Sequence, residues 1–295
     1  EPDYGPALPF WPSAPLQSSD LPDVTAAMST DISQIEALPP LPSTLTFRYA
    51  ATLGESGVPY FPDGRLNRPL GLATSGTGLW VTELQGYRAL KYNASGVLVQ
   101  EIGRVGQNDF YPGLPLRAIS DAAVDSAGNL WLADGDAGHV GQFDPSGAPI
   151  RSLGRVWNCT GDNDNFCNPS GIAFDSSGRL YVSDGAPWWG SSVDYGNHRI
   201  QVFDAQGKYL ATIGTTGMAG SGPLQFYGPR RIALDGTTLY VADSGNHRVQ
   251  VLNVANPAAP VLLGTLGVAG EKGWDSTHFN YPSGVAVDAQ YLYVA

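Results

Sequence analysis

Two of the four histidines occupy nearly the same sequence context, Asn-His-Arg-Ile around His198 and Asn-His-Arg-Val around His247. Neutral imidazole is a common metal ligand, so a recurring histidine first suggests a metal site. A catalytic zinc needs three protein ligands, but the next histidine, His139, falls at the place of the following arginine. The aligned position in the other two full repeats is Tyr87 or Gly138. The pattern therefore favours imidazoles that bond to neighbouring backbone at a turn over a zinc or calcium site.

An acidic residue also recurs, at the end of one predicted strand in each full repeat. The four positions are Glu83, Asp134, Asp184 and Asp243. A carboxylate can serve as a general acid or base, but at a turn it also accepts hydrogen bonds from backbone N–H groups. Because catalysis requires asymmetry and this acid is present in every full repeat, we expect each carboxylate to cap the turn that follows it, as Asp243 would over Ser244-Gly245.

Both patterns belong to a repeat that extends from Phe47 to the end of the chain. Its clearest copy, 169–214, holds four short segments in which apolar residues alternate with others, as in packed strands. An aromatic residue in the second segment and a glycine closing the fourth recur every 49 to 60 residues. The aromatic residues are Trp80, Trp131, Tyr181, Tyr240 and Tyr293, and the glycines are Gly54, Gly103, Gly154, Gly214 and Gly267. Four-stranded repeats of this length predict an all-β propeller.

Short turns with a common pattern join many of the predicted strands. Each begins with Asn or Asp, whose side chain accepts backbone hydrogen bonds, and ends with a glycine that is free to adopt positive φ. The turns lie at 93–96, 125–128, 144–147, 175–178 and 204–207. A single four-stranded sheet cannot bury both of its faces, so these hairpins are expected to stack as blades around an axis.

The segments at 197–200 and 246–249 closely resemble the repeat of the NHL family, named for Asn-His-Leu. The resemblance covers residues 47–295 and is strongest in these two repeats. It implies a β-propeller, commonly six-bladed, in which one blade is shared between the two chain ends. One family member, the peptide-amidating lyase, holds zinc with three propeller histidines. The displaced position of His139 argues against such a site here.

The repeat also sets the expected domain boundaries. Residues 1–46 carry nine prolines and no strand-like alternation, which predicts an extended proline-rich arm that packs on its own propeller or on another copy. Residues 47–295 form the propeller, with an orphan outer strand at 47–54, four complete blades and one blade begun. Six-bladed closure would then need roughly 60–70 further residues, so we expect the C-terminal blades to be incomplete.

The first strands of a propeller line its axial channel, and here they depart from symmetry. Small residues begin three of them at Gly71, Gly171 and Gly284, whereas Asp121 and Arg231 take the same place in two others. A carboxylate and a guanidinium at one channel mouth, with Arg230 beside them, could hold a polar ligand. The alternative, which we favour, is a single ion pair that plugs the channel.

The largest departure from the repeat is an insertion at 186–195 between the second and third strands of one blade. Trp188, Trp189 and Tyr195 on this glycine- and serine-containing loop suit stacking on a sugar or contact with a protein partner. The loop could equally cover the edge of its own blade. We weigh these interpretations evenly, since long loops in compact folds are often functional.

The two cysteines, Cys159 and Cys167, are eight positions apart and lack the spacing of metal or haem motifs. They predict a small disulfide loop and therefore an oxidising compartment, so the protein is expected to be extracellular, cell-surface or periplasmic. Two glycosylation sequons begin at Asn93 and Asn158, both on predicted turns. Asn93 also fits a purely structural role in its turn.

The net charge of −11 disfavours nucleic acid and anionic membranes as partners, and no apolar run is long enough to span a bilayer. Common nucleophile, metal and nucleotide motifs are missing from the sequence. We therefore expect an exported NHL β-propeller that acts as an interaction or assembly module without a cofactor, bound to a protein, to its own copies or to carbohydrate. The alternative is a metal-dependent propeller enzyme, amidating-lyase-like or lactonase-like, with zinc or calcium at the channel mouth.

Overall fold

The computed structural model describes residues 66–76, 78–104, 114–185, 196–275 and 277–295, and these form a β-propeller. Four blades are four-stranded antiparallel sheets whose strands follow chain order from the inner to the outer edge. Blade 1 holds β1 (Pro69–Ser75), β2 (Gly78–Glu83), β3 (Arg88–Tyr92) and β4 (Leu98–Gly103). Blade 2 holds β5 (Ile119–Val124), β6 (Leu130–Asp134), β7 (His139–Phe143) and β8 (Pro149–Leu153).

Blades 3 and 4 repeat this arrangement, and a two-stranded sheet follows them. Blade 3 holds β9 (Pro169–Phe174), β10 (Leu180–Asp184), β11 (Arg199–Phe203) and β12 (Tyr209–Gly214). Blade 4 holds β13 (Pro229–Asp235), β14 (Thr238–Asp243), β15 (Arg248–Asn253) and β16 (Val261–Leu266), with a short 3-10 turn at Ser244–Asn246. Strands β17 (Val285–Val287) and β18 (Leu292–Val294) begin blade 5. The inner strands β1, β5, β9, β13 and β17 adjoin one another in this order, which confirms the predicted propeller.

The alternating pattern of the second strands decides which face of a blade meets which neighbour. Leu130 and Leu132 of β6 pack in the cluster shared with blade 1, whereas Trp131 between them packs with residues of blade 3. Tyr181 of β10 likewise joins the cluster shared with blade 4. Because successive strand residues point to opposite faces, the recurring aromatic residue fills the interface with the next blade.

The polar turns that join the first strand to the second, or the third strand to the fourth, have the predicted geometry. In the turn at Asp175, Oδ1 accepts hydrogen bonds from the N–H groups of Ser177 (2.9 Å) and Arg179 (3.0 Å), and Gly178 adopts φ +80°. The same bonds form in the turns that begin at Asn93, Asp125, Asp144 and Asp204. The hydrogen bond from Ser177 Oγ and the nearby Arg179 hold the pKa of Asp175 below its usual range, despite its partial burial.

Several predicted features fall outside the described residues: the arm at 1–46, the outer strand at 47–54, and the insertion with Trp188, Trp189 and Tyr195. The strands that flank the insertion, β10 and β11, are both described. Within the described ranges, no helix is both long and apolar enough to cross a bilayer.

Candidate functional site

Because neighbouring strands of a blade run in opposite directions, two kinds of connection emerge at the same end of the propeller. One kind joins the second strand to the third, and the other joins the outer strand to the next inner strand. We call this end the loop face. The Asn-His-Arg motifs lie there, at the start of β11 and β15. The same backbone position is left-handed in all four blades, at Tyr87 (φ 59°), Gly138 (φ 72°), His198 (φ 51°) and His247 (φ 56°).

Asn197 and Arg199 flank the first motif histidine, and both form hydrogen bonds inside blade 3. Oδ2 of Asp184 accepts hydrogen bonds from Asn197 Nδ2 (2.7 Å) and Arg199 Nε (3.1 Å), and all three side chains are buried. Burial raises the pKa of Asp184, although the charge of Arg199 opposes that shift. In blade 4, Asn246 and Arg248 bind Asp243 in the same way, at 2.9 and 2.8 Å.

The buried Arg199 also binds the loop that precedes β9, the inner strand of blade 3. The guanidinium of Arg199 donates to the carbonyl oxygens of Gly161 (3.2 Å), Asp162 (2.8 Å) and Asn165 (2.8 Å). These carbonyls belong to the loop closed by the disulfide between Cys159 and Cys167, which is formed as predicted. The equivalent loop of blade 4 has no disulfide, and Arg248 still binds three of its carbonyls, those of Ser221, Gly222 and Gln225.

The recurring acids form the predicted cap in blade 2, where Asp134 Oδ1 accepts the N–H of Ala137 (2.9 Å) in the turn that follows, but not in blade 4. The carboxylate of Asp243 makes no capping bond to the short 3-10 turn after it. Instead its Oδ1 accepts the N–H of Tyr227 (2.7 Å), in the loop before the inner strand of the same blade. Asp184 accepts the N–H groups of Cys167 and Asn168 at 2.8 and 3.1 Å. The expectation of a cap over Ser244-Gly245 is therefore wrong, because the carboxylate bonds to the preceding loop and the buried arginine instead.

The motif histidines connect consecutive blades. His198 Nδ1 accepts the N–H of Gly228 (3.0 Å) and His247 Nδ1 accepts the N–H of Tyr281 (3.1 Å), in each case from the loop that enters the next blade. Each of these bonds orients its ring with Nδ1 toward the loop of the next blade. Burial and the charge of Lys272 lower the pKa of His247.

His139 has a different role, which follows from its register. It pairs with Asp134 across β6 and β7 as Arg199 pairs with Asp184, so it occupies the arginine position. Its Nε2 lies 2.9 Å from the carbonyl oxygen of Pro115, and its Nδ1 lies 3.1 Å from Ser152 Oγ.

His139, His198 and His247 each have the hydrogen-bond partners just described. No cluster of three or more His, Cys, Asp or Glu side chains able to hold a metal occurs among the described residues.

On the inner strands that line the axis, Asp121 and Arg231 form an ion pair, as the favoured interpretation of the sequence predicted. Asp121 Oδ1 lies 2.8 Å from Arg231 Nη1, and Asp121 Oδ2 accepts the N–H of Ile172 (3.1 Å). The pair therefore links the inner strands of blades 2, 3 and 4. Burial raises the pKa of Asp121 against the opposing charge of Arg231, and burial lowers the pKa of neighbouring Arg230.

Glycines on the neighbouring inner strands let the backbones of adjacent blades approach. A Cβ on Gly171 would lie only 2.8 Å from Arg231 Cα, and a Cβ on Gly71 would lie 2.8 Å from Asp121 Cα. The small residues and the charged residues are thus parts of one packed arrangement around the axis.

Two tyrosines on the loop face were not predicted. Tyr227 is 41% exposed and its ring centroid lies 5.6 Å from that of His198, while Tyr281 is 54% exposed and lies 4.3 Å from His247. Both contacts are edge-on, and both tyrosines lie within two residues of the proline that precedes or begins an inner strand. That proline was the available signal, because it marks where the chain returns to the axis.

Comparison with known proteins finds a match to the NHL repeat and similarity over part of the chain to amidating enzymes. The NHL repeat model matches residues 166–188 and 226–252. The chain is 34% identical over 151 residues to the peptidylglycine alpha-amidating monooxygenase of Rattus norvegicus, an alignment that covers 49% of this chain and 14% of that protein. It is 32% identical over 130 residues to a probable peptidyl-alpha-hydroxyglycine alpha-amidating lyase of Caenorhabditis elegans, covering 43% of this chain and 34% of the relative.

Among solved structures, a streptogramin B lyase matches with a TM-score of 0.53 and 17% identity, over 80% of this chain and 63% of that one. At this identity the likeness concerns the fold alone. The chain spans about a third or less of the length of these two curated relatives.

Proposed function

Because the chain belongs to the NHL-repeat β-propeller family, we propose that it binds a peptide ligand on its loop face, within the secretory pathway. The observation that carries this proposal is the pair of exposed tyrosines, Tyr227 and Tyr281, each held edge-on by a motif histidine. A ring already fixed by its neighbour loses little conformational freedom when a ligand binds. Aromatic side chains of this kind are enriched at binding sites.

The loop face also concentrates exposed apolar surface. The two consecutive loops that enter β13 and β17 carry several large exposed hydrophobic side chains, and such clusters mark interaction sites. They are Met218, Tyr227, Val268, Trp274 and Tyr281. The net charge of −11 favours a neutral or cationic ligand over an anionic one.

Two further observations support a peptide and the secretory pathway. The relatives named above include enzymes whose names specify peptidyl substrates, and the disulfide between Cys159 and Cys167 requires an oxidising compartment. Contacts through the arm, the insertion or the channel pair with a protein, a second copy or a carbohydrate remain separate proposals.

Calorimetric titration with three forms of one peptide, ending in glycine, α-hydroxyglycine or the amide, tests the proposal. We expect Tyr281→Ala and Tyr227→Ala to weaken binding about 10-fold or more, because each removes a preoriented aromatic contact. Tyr293→Ala is the matched control, since this tyrosine is also exposed but lies on β18. Equal affinity in all four proteins, or no binding of any peptide, would refute a site at these tyrosines.

A second candidate function is amidating lyase activity, and the names of the curated relatives favour it over a purely structural module. Incubation with a peptide ending in α-hydroxyglycine, followed by mass spectrometry of the peptide amide, tests it directly. Elemental analysis of the dialysed protein should accompany the assay. Activity with about one bound zinc would establish a metal-dependent lyase, whereas absence of turnover would exclude this candidate.

A further inference from the structure

Trp157 occupies a backbone position that glycine occupies in the equivalent loops. It lies between β8 and β9 at φ 58°, while the loops after β12 and β16 have Gly217 (φ 72°) and Gly270 (φ 81°). The three positions are equivalent because each backbone N–H donates to a carbonyl at the same place in a motif. The acceptors are Ala137 (2.8 Å), Asn197 (3.0 Å) and Asn246 (2.9 Å).

Two local penalties therefore meet at Trp157. A left-handed backbone is unfavourable for a bulky residue, and 58% of this residue is exposed to solvent. A glycine, as in the other two loops, would remove both penalties. Residues with such strained backbone conformations are concentrated at functional sites, where the side chain contacts a ligand or another group.

The next residue, Asn158, begins the sequon Asn-Cys-Thr on the same exposed loop. Within the described part of the chain, its side-chain amide makes no hydrogen bond. Asn93, in the other sequon, differs, because its Oδ1 accepts the N–H groups of Ser95 and Val97, both at 2.9 Å. The turn geometry explains Asn93, whereas nothing in the fold explains Asn158.

We propose that Asn158 carries an N-linked glycan and that its first sugar packs on the ring of Trp157. In the transfer, the bond between the anomeric carbon and phosphate of a lipid-linked diphosphate sugar donor breaks. A bond from that carbon to Asn158 Nδ2 forms, the amide loses a proton, and the lipid diphosphate leaves.

The chemistry of the two partners is complementary. The C–H face of a pyranose is apolar and covers an indole, which removes exposed apolar area from water. Because the glycan is attached at the next residue, its local concentration at the ring is high and no separate association step is required. The disulfide at the following residue, Cys159, closes this loop and restricts its conformations.

The first test is site occupancy after secretion from a eukaryotic host. Glycopeptide mass spectrometry should find a glycan on Asn158, and Asn158→Gln should abolish that glycopeptide. Asn93→Gln is the matched control and should leave it unchanged. An unmodified Asn158 in the secreted, disulfide-bonded protein would overturn the proposal.

The second test compares Trp157→Gly in glycosylated and enzymatically deglycosylated protein. In the deglycosylated form, glycine should raise Tm by about 2–4 °C, because it relieves the left-handed strain. In the glycosylated form, that gain should be cancelled or reversed, because the sugar loses its platform.

Trp274→Gly controls for loss of an exposed indole, since Trp274 is 87% exposed and adjoins no sequon. Its effect on Tm should be the same in both forms. An identical Tm change for Trp157→Gly with and without the glycan would show that the glycan does not pack on the ring of Trp157. Neither test depends on peptide binding, so this inference and the proposed function can fail independently.

Discussion

At the level of single residues, the Asn-His-Arg motif divides its work between two blades. Asn197 and Arg199 bind a buried acid of their own blade, whereas His198 between them accepts a backbone N–H from the next one. The left-handed conformation at the histidine accompanies this division, since it occurs at the same position in every full blade. The motif is thus a structural connector, and the chemistry of its histidines is used in hydrogen bonding.

Arg199→Lys should lower the free energy of unfolding by about 2–4 kcal/mol, because lysine cannot reproduce the planar fork that binds Asp184 and the loop carbonyls, and its loss leaves buried acceptors unpaired. Urea unfolding measures this change. Arg179→Lys is the control, because Arg179 pairs with Asp175 at a partly exposed site, where a loss within about 1 kcal/mol is expected. Equal effects would contradict the importance of the buried fork.

His247 predicts a pH dependence of stability. Burial lowers its pKa in the folded protein below 6.5, so the unfolded chain binds the proton more readily. The stability from this histidine is fully present above pH 6.5 and decreases as the pH falls toward the folded pKa. His247→Gln should flatten the dependence of unfolding free energy on pH below 6.5.

His278 supplies a control of opposite sign. Its hydrogen bond to Asp275 raises its pKa, so its stabilising effect is present at low pH and is lost as the pH rises through the folded pKa. His278→Gln should therefore steepen the rise of stability with pH. If both variants change the slope in the same direction, the burial argument for His247 is wrong.

At the level of elements, the disulfide loop is the partner of the buried arginine in blade 3. Replacing both Cys159 and Cys167 by serine should reduce the unfolding free energy by roughly 2–3 kcal/mol, from loop-closure entropy. Hydrogen exchange should accelerate most between the two positions, where the carbonyls that bind Arg199 lie. The loop before β13 performs the same role without a disulfide, so its exchange should not change.

At the level of the whole molecule, the pair of Asp121 and Arg231 joins three blades near the axis. Asp121→Leu should destabilise the protein by about 3 kcal/mol, because it leaves Arg231 without its carboxylate in a largely buried place. Adding Arg231→Met should recover most of that loss. Thermal unfolding of the single and double variants tests this, with the exposed pair of Arg117 and Asp136 as the control.

The sequence was sufficient for the blades, the turns and the disulfide, because each depends on short-range patterns. It did not reveal where the motif histidines bind, since their partners are backbone N–H groups 30 or more residues away. The bonds from the recurring acids to the preceding loop were missed for the same reason, since the N–H that Asp243 accepts is 16 residues away. Tyr227, Tyr281 and Trp157 were missed because exposure and backbone conformation have no periodic signature.

The bonds from the motif histidines of blades 3 and 4 to the blades that follow them have a direction along the chain. Each of these two blades supplies an accepting side chain, and the next blade donates a main-chain N–H that any residue except proline possesses. A duplicated unit of this kind can be added beside its parent without a matching change in the recipient. Because the connection requires a particular side chain on one blade only, tandem duplication can add blades to a propeller of this kind. The sequences of the loops that donate the N–H groups can then change toward new ligands.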